Sequence, residues 1–500
     1  MDDVTLVASG NITAGSDNDI TAVRSNNGSV TLSAGNNIYL GQNYYADIYA
    51  NGDINLTAGN DITVDNYTYV ESYNGDITLN ANRDINIITR VADEETMVSA
   101  DDGSLSLYAG RDINILGGPS YVKIYSIDDT VIYATRNINI TGGDIEADEG
   151  YISIYGSNNV NISDTNINSG NNTFITADTG DVTIDPSIIT AYNIAVDAGN
   201  NITIVDSQLI AGNNAELVAG NNIQIGYVEA ANLVSMEADG AIYDNNGDDL
   251  NIVATYLVML AGRGIGNYNG QIDPIETQVS NLQAGTSAGD IYIVNTGDLN
   301  LKDFGGGFAV AADGNIDIKT TEDMTISGLV EATGSVYLYA LGGSIVDNLV
   351  NDAITPYDIK AGKTSGLYAG GGTIGVEPGT NWFDPIEVEI NGDLYVYASG
   401  KYNLVSVAID GIVSPRDMLI TKPDWGVPPG LIIFNGRING GGESDRWFRA
   451  TSNAIHYIGI EPYIYETLNL YIIDPTFFEP QPSYWDLEQF KKAIESLVLK

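Results

Sequence analysis

The chain of 500 residues has no cysteine, only one histidine (His456), and 20 basic residues against 66 acidic ones. The missing cysteine excludes disulfides, thiolate metal sites and cysteine nucleophiles. The net charge of -46 repels nucleic acid and anionic lipid, so we expect no nucleic-acid partner. A single histidine with no identifiable partner is more often structural than catalytic, and we therefore expect a protein that is not an enzyme.

Long apolar runs are also missing. No stretch approaches the roughly 20 apolar residues that a membrane-spanning helix requires, so we expect no membrane insertion. The opening residues, MDDVTLVASG, lack the basic start and apolar centre of a signal peptide. Because VTLVASGNIT already matches the repeat described below, we expect Met1 to lie inside a longer natural chain.

What the sequence has in abundance is an internal repeat, seen in VTLSAGNNIYL, INLTAGNDITV, LSLYAGRDINI and IAVDAGNNITI. Aligned on the small residue that ends the first half of each unit, ten steps lead from residue 8 to residue 238, so the period is about 23 residues, as in solenoids. These reference positions are Ala8, Ala34, Ala58, Ala81, Ala109, Ala134, Gly156, Ala177, Ala198, Ala219 and Ala238.

Apolar residues alternate within each unit, as at Leu105, Leu107 and Ala109, which is the period of a strand with one buried face. The Gly-Asn pairs that follow the reference alanines suit tight corners. One such unit cannot bury its apolar face alone, so units must stack. The sequence therefore predicts an all-β, right-handed parallel β-helix over residues 1–375, with about 16 coils stacked at the strand spacing of about 4.8 Å.

The composition changes near the end of the chain, where ten of the 14 prolines and all four tryptophans follow residue 370. We predict a β-rich capping or interaction region over 376–482 and an amphipathic helix over 483–500. Ser483 and Asp486 fit a capping box at the start of this helix. Packing on the C-terminal region is its expected role, and docking to a partner is the alternative. Its apolar face would consist of Leu487, Phe490, Ile494 and Leu497.

The repeated LxAGxxIxL pattern, present as LSAGNNIYL, LTAGNDITV and LYAGRDINI, resembles the filamentous haemagglutinin family of bacterial exoproteins over residues 1–240. The resemblance implies a right-handed β-helix that is exported by two-partner secretion and displayed as an adhesin. It also implies a secreted, cell-surface or extracellular location. The implied partner is an extracellular glycan or the surface of a host or neighbouring cell.

Two sets of side chains recur beside the reference positions and should form columns when the coils stack. Two positions after the reference residue stand Arg83, Arg111 and Arg136, and one position before it stand Tyr108, Tyr133 and Tyr155. Aromatic faces next to guanidinium forks suit sugar rings that carry carboxylate or sulfate, so these columns are the candidate ligand-binding face. The alternative is that the columns only cover the sheet, with Asp84 and Asp112 neutralising the arginines.

Two weaker candidates complete the set. Tyr45 and Tyr69 each stand eleven residues after a reference alanine and are predicted to stack. Asp244, Asp248 and Asp249 belong to an oxygen-rich run that resembles calcium-binding loops, although an ordinary solvated turn explains the same residues. Calcium is the only cofactor that we consider.

Three functions remain open at this stage. We expect a non-catalytic, secreted adhesin or structural rod that presents a binding face. One alternative is a subunit that assembles end to end into an extracellular filament. Another is a β-helical polysaccharide lyase or hydrolase with its active site beside the parallel sheets.

Overall fold

A computed structural model describes residues 3–15, 21–41, 45–91, 95–118, 121–348, 357–375, 386–392 and 394–399, and the backbone of 404–409 and 432–434. His456, the predicted helix over 483–500 and most of the predicted region over 376–482 lie outside these ranges. The division at residue 375 and the terminal helix therefore stay predictions.

The predicted all-β parallel β-helix is confirmed: the chain forms a β-solenoid of about 14 turns, and no helix occurs in the described residues. About 16 coils were expected. The length of a turn varies along the chain: Ile77 pairs with Leu105, 28 residues later, whereas Ile316 pairs with Val336, 20 residues later. The right-handed sense stays a prediction. The described residues contain no helix that could cross a membrane.

The chain divides into two compact units, residues 1–254 and 255–500. In the first unit each turn has three strands, and like strands of successive turns pair in parallel to give three ladders. The first ladder contains Val4–Ala8, Val30–Ala34, Ile54–Ala58, Ile77–Ala81, Leu105–Ala109, Thr130–Ala134, Ile152–Gly156, Asn172–Ala177 and Leu233–Ala238. The second ladder contains Ile12–Ala14, Ile38–Leu40, Ile62–Asp65, Ile85–Thr89, Ile113–Gly117, Ile138–Thr141, Val160–Ser163, Val182–Ile184, Ile202–Ile204, Ile223–Ile225 and Ile242–Asp244.

The third ladder closes each turn. It contains Thr21–Ser25, Ala46–Ala50, Thr68–Ser72, Thr96–Ala100, Val122–Ser126, Gly143–Ala147, Thr165–Ser169, Tyr227–Ala230 and the start of Ile252–Ala261. Two long strands, Ser187–Ala198 and Gln208–Ala219, run from the third ladder of one turn into the first ladder of the next.

The second unit repeats the three-strand turn with more irregular corners, and parallel pairing continues past residue 375. The long strand Ile275–Thr286 pairs along its length with three shorter strands. A small antiparallel hairpin is formed by Asn267–Tyr268 and Gln271–Ile272. The remaining strands are Ile291–Asn295, Leu299–Lys302, Val310–Ala312, Ile316–Thr320, Met324–Ser327, Val330–Ala332, Val336–Ala340, Ile345–Asp347, Ile359–Ala361, Ser365–Ala369, Ile386–Ile390, Leu394–Ala398, Leu404–Ile409 and Ile432–Phe434.

The core is a set of apolar columns that run through the stacked turns. Leu32, Leu56, Leu79 and Leu107 lie above one another in register, and each is at most 1% exposed. Side chains alternate between this core and solvent along most strands, as the sequence period predicts. The reference alanines also pair in register from Ala8 to Ala238, so the repeat alignment is confirmed at every turn of the first ladder.

One corner of the first unit is held by side chains. At each turn between the first and second ladders, the side-chain oxygen of an Asn or Asp accepts a hydrogen bond from the backbone N–H at the equivalent position one turn later. The ten donor–acceptor distances are 2.9–3.3 Å. This corner ladder consists of Asn11, Asn37, Asp61, Asp84, Asp112, Asn137, Asn159, Asp181, Asn201 and Asn222. It satisfies backbone groups where the chain bends and sheet pairing is interrupted.

Removing one side chain of the corner ladder should destabilise the first unit. In Asn222→Ala the N–H of Ala241, which is 2% exposed, loses its acceptor at 2.9 Å. We expect the free energy of unfolding to fall by about 1–3 kcal/mol in urea titrations, because a buried donor is left unsatisfied. The matched control is Asn168→Ala, which truncates an exposed, outward-facing asparagine. Equal losses in the two variants would contradict a special role for the corner.

Candidate functional site

The structure places the three predicted tyrosines on adjacent strands of the first ladder. Tyr108 pairs in register with Tyr133, and Tyr133 pairs with Tyr155. The ring centroids of Tyr108 and Tyr133 are 6.3 Å apart, and those of Tyr133 and Tyr155 are 5.1 Å apart with an angle of only 3° between the ring planes. The faces of Tyr133 and Tyr155 therefore cover each other. A sugar ring cannot stack between them, and ring edges and hydroxyl groups remain for solvent.

The three arginines also lie on successive turns, and each is engaged by an aspartate of the preceding turn. The Nε atoms of Arg83, Arg111 and Arg136 donate to aspartate Oδ1 atoms at 2.7, 2.7 and 2.8 Å, and a terminal nitrogen of each guanidinium contacts the other carboxylate oxygen. The respective acceptors are Asp61, Asp84 and Asp112. Each guanidinium thus uses its two-pronged edge on a carboxylate, the arrangement that would otherwise bind an acidic ligand.

These acceptors are members of the corner ladder, and this explains where the arginines occur. The position before each ladder residue lies above the ladder residue of the preceding turn. Where that ladder residue is Asp61, Asp84 or Asp112, the position holds arginine. Where the ladder residue is an asparagine, the position above it can also hold an asparagine. Nδ2 of Asn221, for example, donates to Oδ1 of the ladder residue Asn201 at 3.0 Å. Asp181 departs from this pattern, because Asn200 and Asn201 are its donors.

The remaining basic residues of the first unit are paired in the same way. Residues 1–254 contain six basic and 36 acidic residues. Besides the three pairs above, the ion pairs are Arg24–Asp47, Arg90–Asp65 and Lys123–Glu146. Arg83 and Arg111 also lie within 3.8 and 3.4 Å of a second carboxylate, that of Asp84 and that of Asp112 respectively. Every basic side chain of this unit therefore has a carboxylate partner within the fold. An acidic sugar would meet an excess of negative charge and would have to compete for each guanidinium.

Asp112 and Asp65 are both buried, but they have different numbers of hydrogen-bond donors, and their pKa values shift in opposite directions. Burial alone would raise the pKa of Asp112, but the bonds from Arg136 and Asn137 and the nearby Arg111 hold this pKa below its ordinary value. Burial raises the pKa of Asp65, because its contact with Arg90 at 3.2 Å and one backbone N–H do not offset the loss of hydration.

The weaker aromatic candidate forms a contact without stacking. The ring centroids of Tyr45 and Tyr69 are 5.6 Å apart, but the ring planes are tilted by 46°. The prediction that they stack was wrong, because Tyr45 precedes its strand and Tyr69 lies within one. Burial, reinforced by nearby carboxylates, raises the pKa of both phenols.

The candidate calcium residues separate into two groups. Asp244 ends the last strand of the second ladder and is 6% exposed, and its Oδ1 accepts hydrogen bonds from the backbone N–H groups of Asn245 and Asn246 at 2.7 and 2.9 Å. Asp248 and Asp249 are exposed on the following turn. The turn does not gather all three carboxylates around one point.

Sequence reasoning missed one group of carboxylates in the second unit. Oxygen atoms of Asp347, Asp358 and Glu387 lie within 4.8 Å of one another, the only such acidic group in the described part of the chain. The backbone N–H of Glu387 also donates to Asp358 Oδ2 at 2.7 Å. The pairing of Ile359–Ala361 with Ile386–Ile390 sets Glu387 beside Asp358, which lies 29 residues earlier in the chain, and no local motif marks the group.

Comparison of this chain with protein-family models, with curated proteins and with solved structures finds no match.

The matching of arginine to aspartate can be tested by exchanging both residues. Arg111→Asn should lower the melting temperature, because the carboxylate of Asp84, whose side chain is 10% exposed, loses its two-pronged partner and keeps only the 3.8 Å contact with Arg83. Adding Asp84→Asn should restore most of the loss, since the pair then resembles Asn221 above Asn201. Thermal unfolding of the two single variants and the double variant measures this coupling. A double variant as unstable as Arg111→Asn would refute the pairing rule.

Acid titration should distinguish Asp112 from Asp65. The lowered pKa of Asp112 stabilises the fold above the ordinary value of about 3.9, and this contribution is lost as the pH falls through the folded value. The raised pKa of Asp65 has the opposite effect: its contribution is present at low pH and is lost as the pH rises. We expect Asp112→Asn to lower and Asp65→Asn to raise the melting temperature near neutral pH, with both differences shrinking below about pH 3. Shifts of the same sign would contradict these assignments.

Proposed function

We propose that the protein is a non-catalytic, secreted scaffold of the adhesin type, which holds a binding surface on the outside of a β-solenoid. The observation that carries this proposal is the internal pairing of charge in the first unit. All six of its basic side chains are bound to carboxylates of the solenoid, so they serve the stacking of turns. Catalytic groups, in contrast, must be available to a substrate.

The repeat supports the same proposal. Like apolar residues lie above one another in the core over many turns, so the same core can carry different outward-facing residues on successive turns. The LxAGxxIxL pattern that resembles filamentous haemagglutinins coincides with the corner ladder, since its Ala-Gly is followed by the Asn or Asp whose side chain binds the next turn. Such a corner can be repeated to extend a scaffold, and extension away from a cell is what an adhesin requires.

The binding surface that we propose is an aromatic strip on the outer side of the first ladder, made of Tyr108, Tyr133, Tyr155, Tyr151 and Phe174. Tyr108, Tyr133 and Phe174 are 39%, 37% and 41% exposed. Tyr151 and Phe174 contact each other edge to face, with their centroids 6.3 Å apart. Exposed aromatic edges and hydroxyl groups on an acidic protein suit an uncharged partner, either a neutral glycan or a polar protein surface.

Arg83, Arg111 and Arg136 receive a different role in this proposal from the one that the sequence suggested. Their forked donors hold aspartates of the corner ladder, so they support the surface beside the tyrosines instead of contacting the ligand. An acidic or sulfated glycan is accordingly the less favourable ligand.

The test is binding to an array of neutral and acidic polysaccharides and to cell surfaces. Replacing Tyr108, Tyr133 and Tyr155 together by serine should reduce binding at least tenfold, because the exposed aromatic area of the strip is lost. The matched control replaces three exposed tyrosines outside the strip, Tyr73, Tyr121 and Tyr192, by serine. Circular dichroism should show the same strand content in both variants. Binding that survives the first set of changes, or is lost equally in both, would overturn the choice of surface.

A polysaccharide-degrading enzyme is the second candidate, and the group of Asp347, Asp358 and Glu387 is the observation that favours it. Paired carboxylates are the usual acid and base of glycoside hydrolysis. The polysaccharides used for binding should therefore be assayed for chain shortening. The scaffold proposal expects none, whereas shortening that Asp358→Asn abolishes would establish the enzyme. Fibres that lengthen with protein concentration under negative-stain microscopy would favour the filament alternative.

A further inference from the structure

Buried aspartates and arginines of the first unit match one to one, with a single aspartate left over. Six aspartates in the described part of residues 3–254 are at most 9% exposed: Asp47, Asp61, Asp65, Asp84, Asp112 and Asp244. The first five each form an ion pair with a different arginine. Asp244 is as deeply buried but has no ion pair with any described residue. A buried carboxylate without a positive partner is costly, so this position requires another source of positive charge.

The two oxygens of this carboxylate have different surroundings. Oδ1 accepts hydrogen bonds from the N–H groups of Asn245 and Asn246 and from Nδ2 of Asn251 at 2.7, 2.9 and 2.5 Å. Oδ2 is inaccessible to solvent and has no hydrogen-bond partner. Hydrogen bonds therefore satisfy one half of the carboxylate only.

The surroundings of Asn251 are rich in oxygen. Its Nδ2 atom, which carries two hydrogens, lies near three oxygens: Asp244 Oδ1 at 2.5 Å, Asn246 Oδ1 at 2.6 Å and the carbonyl of Gly226 at 3.3 Å. Asn251 itself is fully buried. Three oxygens thus surround the buried Nδ2 atom of Asn251, and the other oxygen of the same Asp244 carboxylate has no donor. Carboxylate, amide and backbone carbonyl oxygens are the ligands that calcium takes.

We propose that Asp244 is the anchor of a calcium site, with Asn246, the carbonyl of Gly226 and Asn251 as further ligands. If the side-chain amide of Asn251 rotates by about 180°, its Oδ1 takes the place of Nδ2. Asn251 then becomes the fourth residue that offers an oxygen to the ion. Asp248 and Asp249 are exposed on the same turn and add negative charge that attracts a cation. Calcium fits better than magnesium, because magnesium keeps several waters whereas Asn251 is fully buried beside protein oxygens.

The position of the site suggests what the ion does. Ile242–Asp244 is the final strand of the second ladder, and the chain leaves that ladder through the turn at 245–251. An ion held by Gly226, Asp244 and Asn251 would tie this last strand to the turn before it and to the turn after it. The site lies at the opposite end of this strand from the last bond of the corner ladder, which runs from Ala241 to Asn222.

Calcium binding to protein treated with a chelator should be measured by isothermal titration calorimetry in salt that screens diffuse charge, together with the melting temperature with and without calcium. We expect one saturable site and a melting temperature that rises with calcium concentration, since the ion binds only the folded chain. Asp244→Asn keeps the hydrogen-bond acceptor for the turn but removes the charge. It should lose the site and the calcium-dependent shift, while circular dichroism stays unchanged.

The matched control is Asp164→Asn, which removes one exposed carboxylate from another turn and should retain the site. Magnesium at the same concentration should give a much smaller shift. Absence of a saturable site in the wild-type protein, or equal binding by the two variants, would overturn the proposal.

Discussion

The hydrogen bond from a corner backbone N–H to an Asn or Asp side chain of the preceding turn is the constraint on which the first unit depends. Backbone groups within a strand are satisfied by neighbouring strands, but a corner interrupts that pairing, and an unsatisfied buried group is costly. The side-chain oxygen supplies the missing acceptor at a fixed position in each repeat. Because it fixes the corner, it also fixes the register of the strands on both sides. The apolar columns of the core follow from this register.

The distribution of charge is a consequence of the same corner. An aspartate can replace asparagine in the corner ladder, since both provide an acceptor, but a buried carboxylate brings a charge that requires compensation. The chain compensates with arginine at the preceding position of the next turn, at Arg83, Arg111 and Arg136. Five buried aspartates and five arginines are matched in this unit despite a net charge of -46 for the whole chain. The excess of acidic residues over basic ones keeps adjacent molecules apart.

These relations shape the functional proposal. In the sequence, the arginines beside the tyrosines resemble a binding site. In the structure, most of these side chains contact other residues of the fold. What remains for a partner is the outer edge of the aromatic strip, on a surface too acidic for an anionic ligand. The scaffold proposal therefore rests on which side chains are available, whereas the enzyme alternative depends on one carboxylate group in the second unit.

The sequence by itself determined the solenoid, the register and the position of each column in the first unit. This was possible because every repeat contains alternating apolar residues followed by a small residue at the corner. When equivalent positions of successive repeats are stacked, only one alignment of the repeats results, from Ala8 to Ala238. The tertiary structure decided how the columns are used. The facing rings of Tyr133 and Tyr155, the tilt between Tyr45 and Tyr69 and the bond from Arg111 to Asp84 depend on side-chain rotamers, which the repeat does not encode. Asp358 and Glu387 are 29 residues apart in the chain, and the pairing of the strands that follow Asp358 and contain Glu387 brings their carboxylates near that of Asp347.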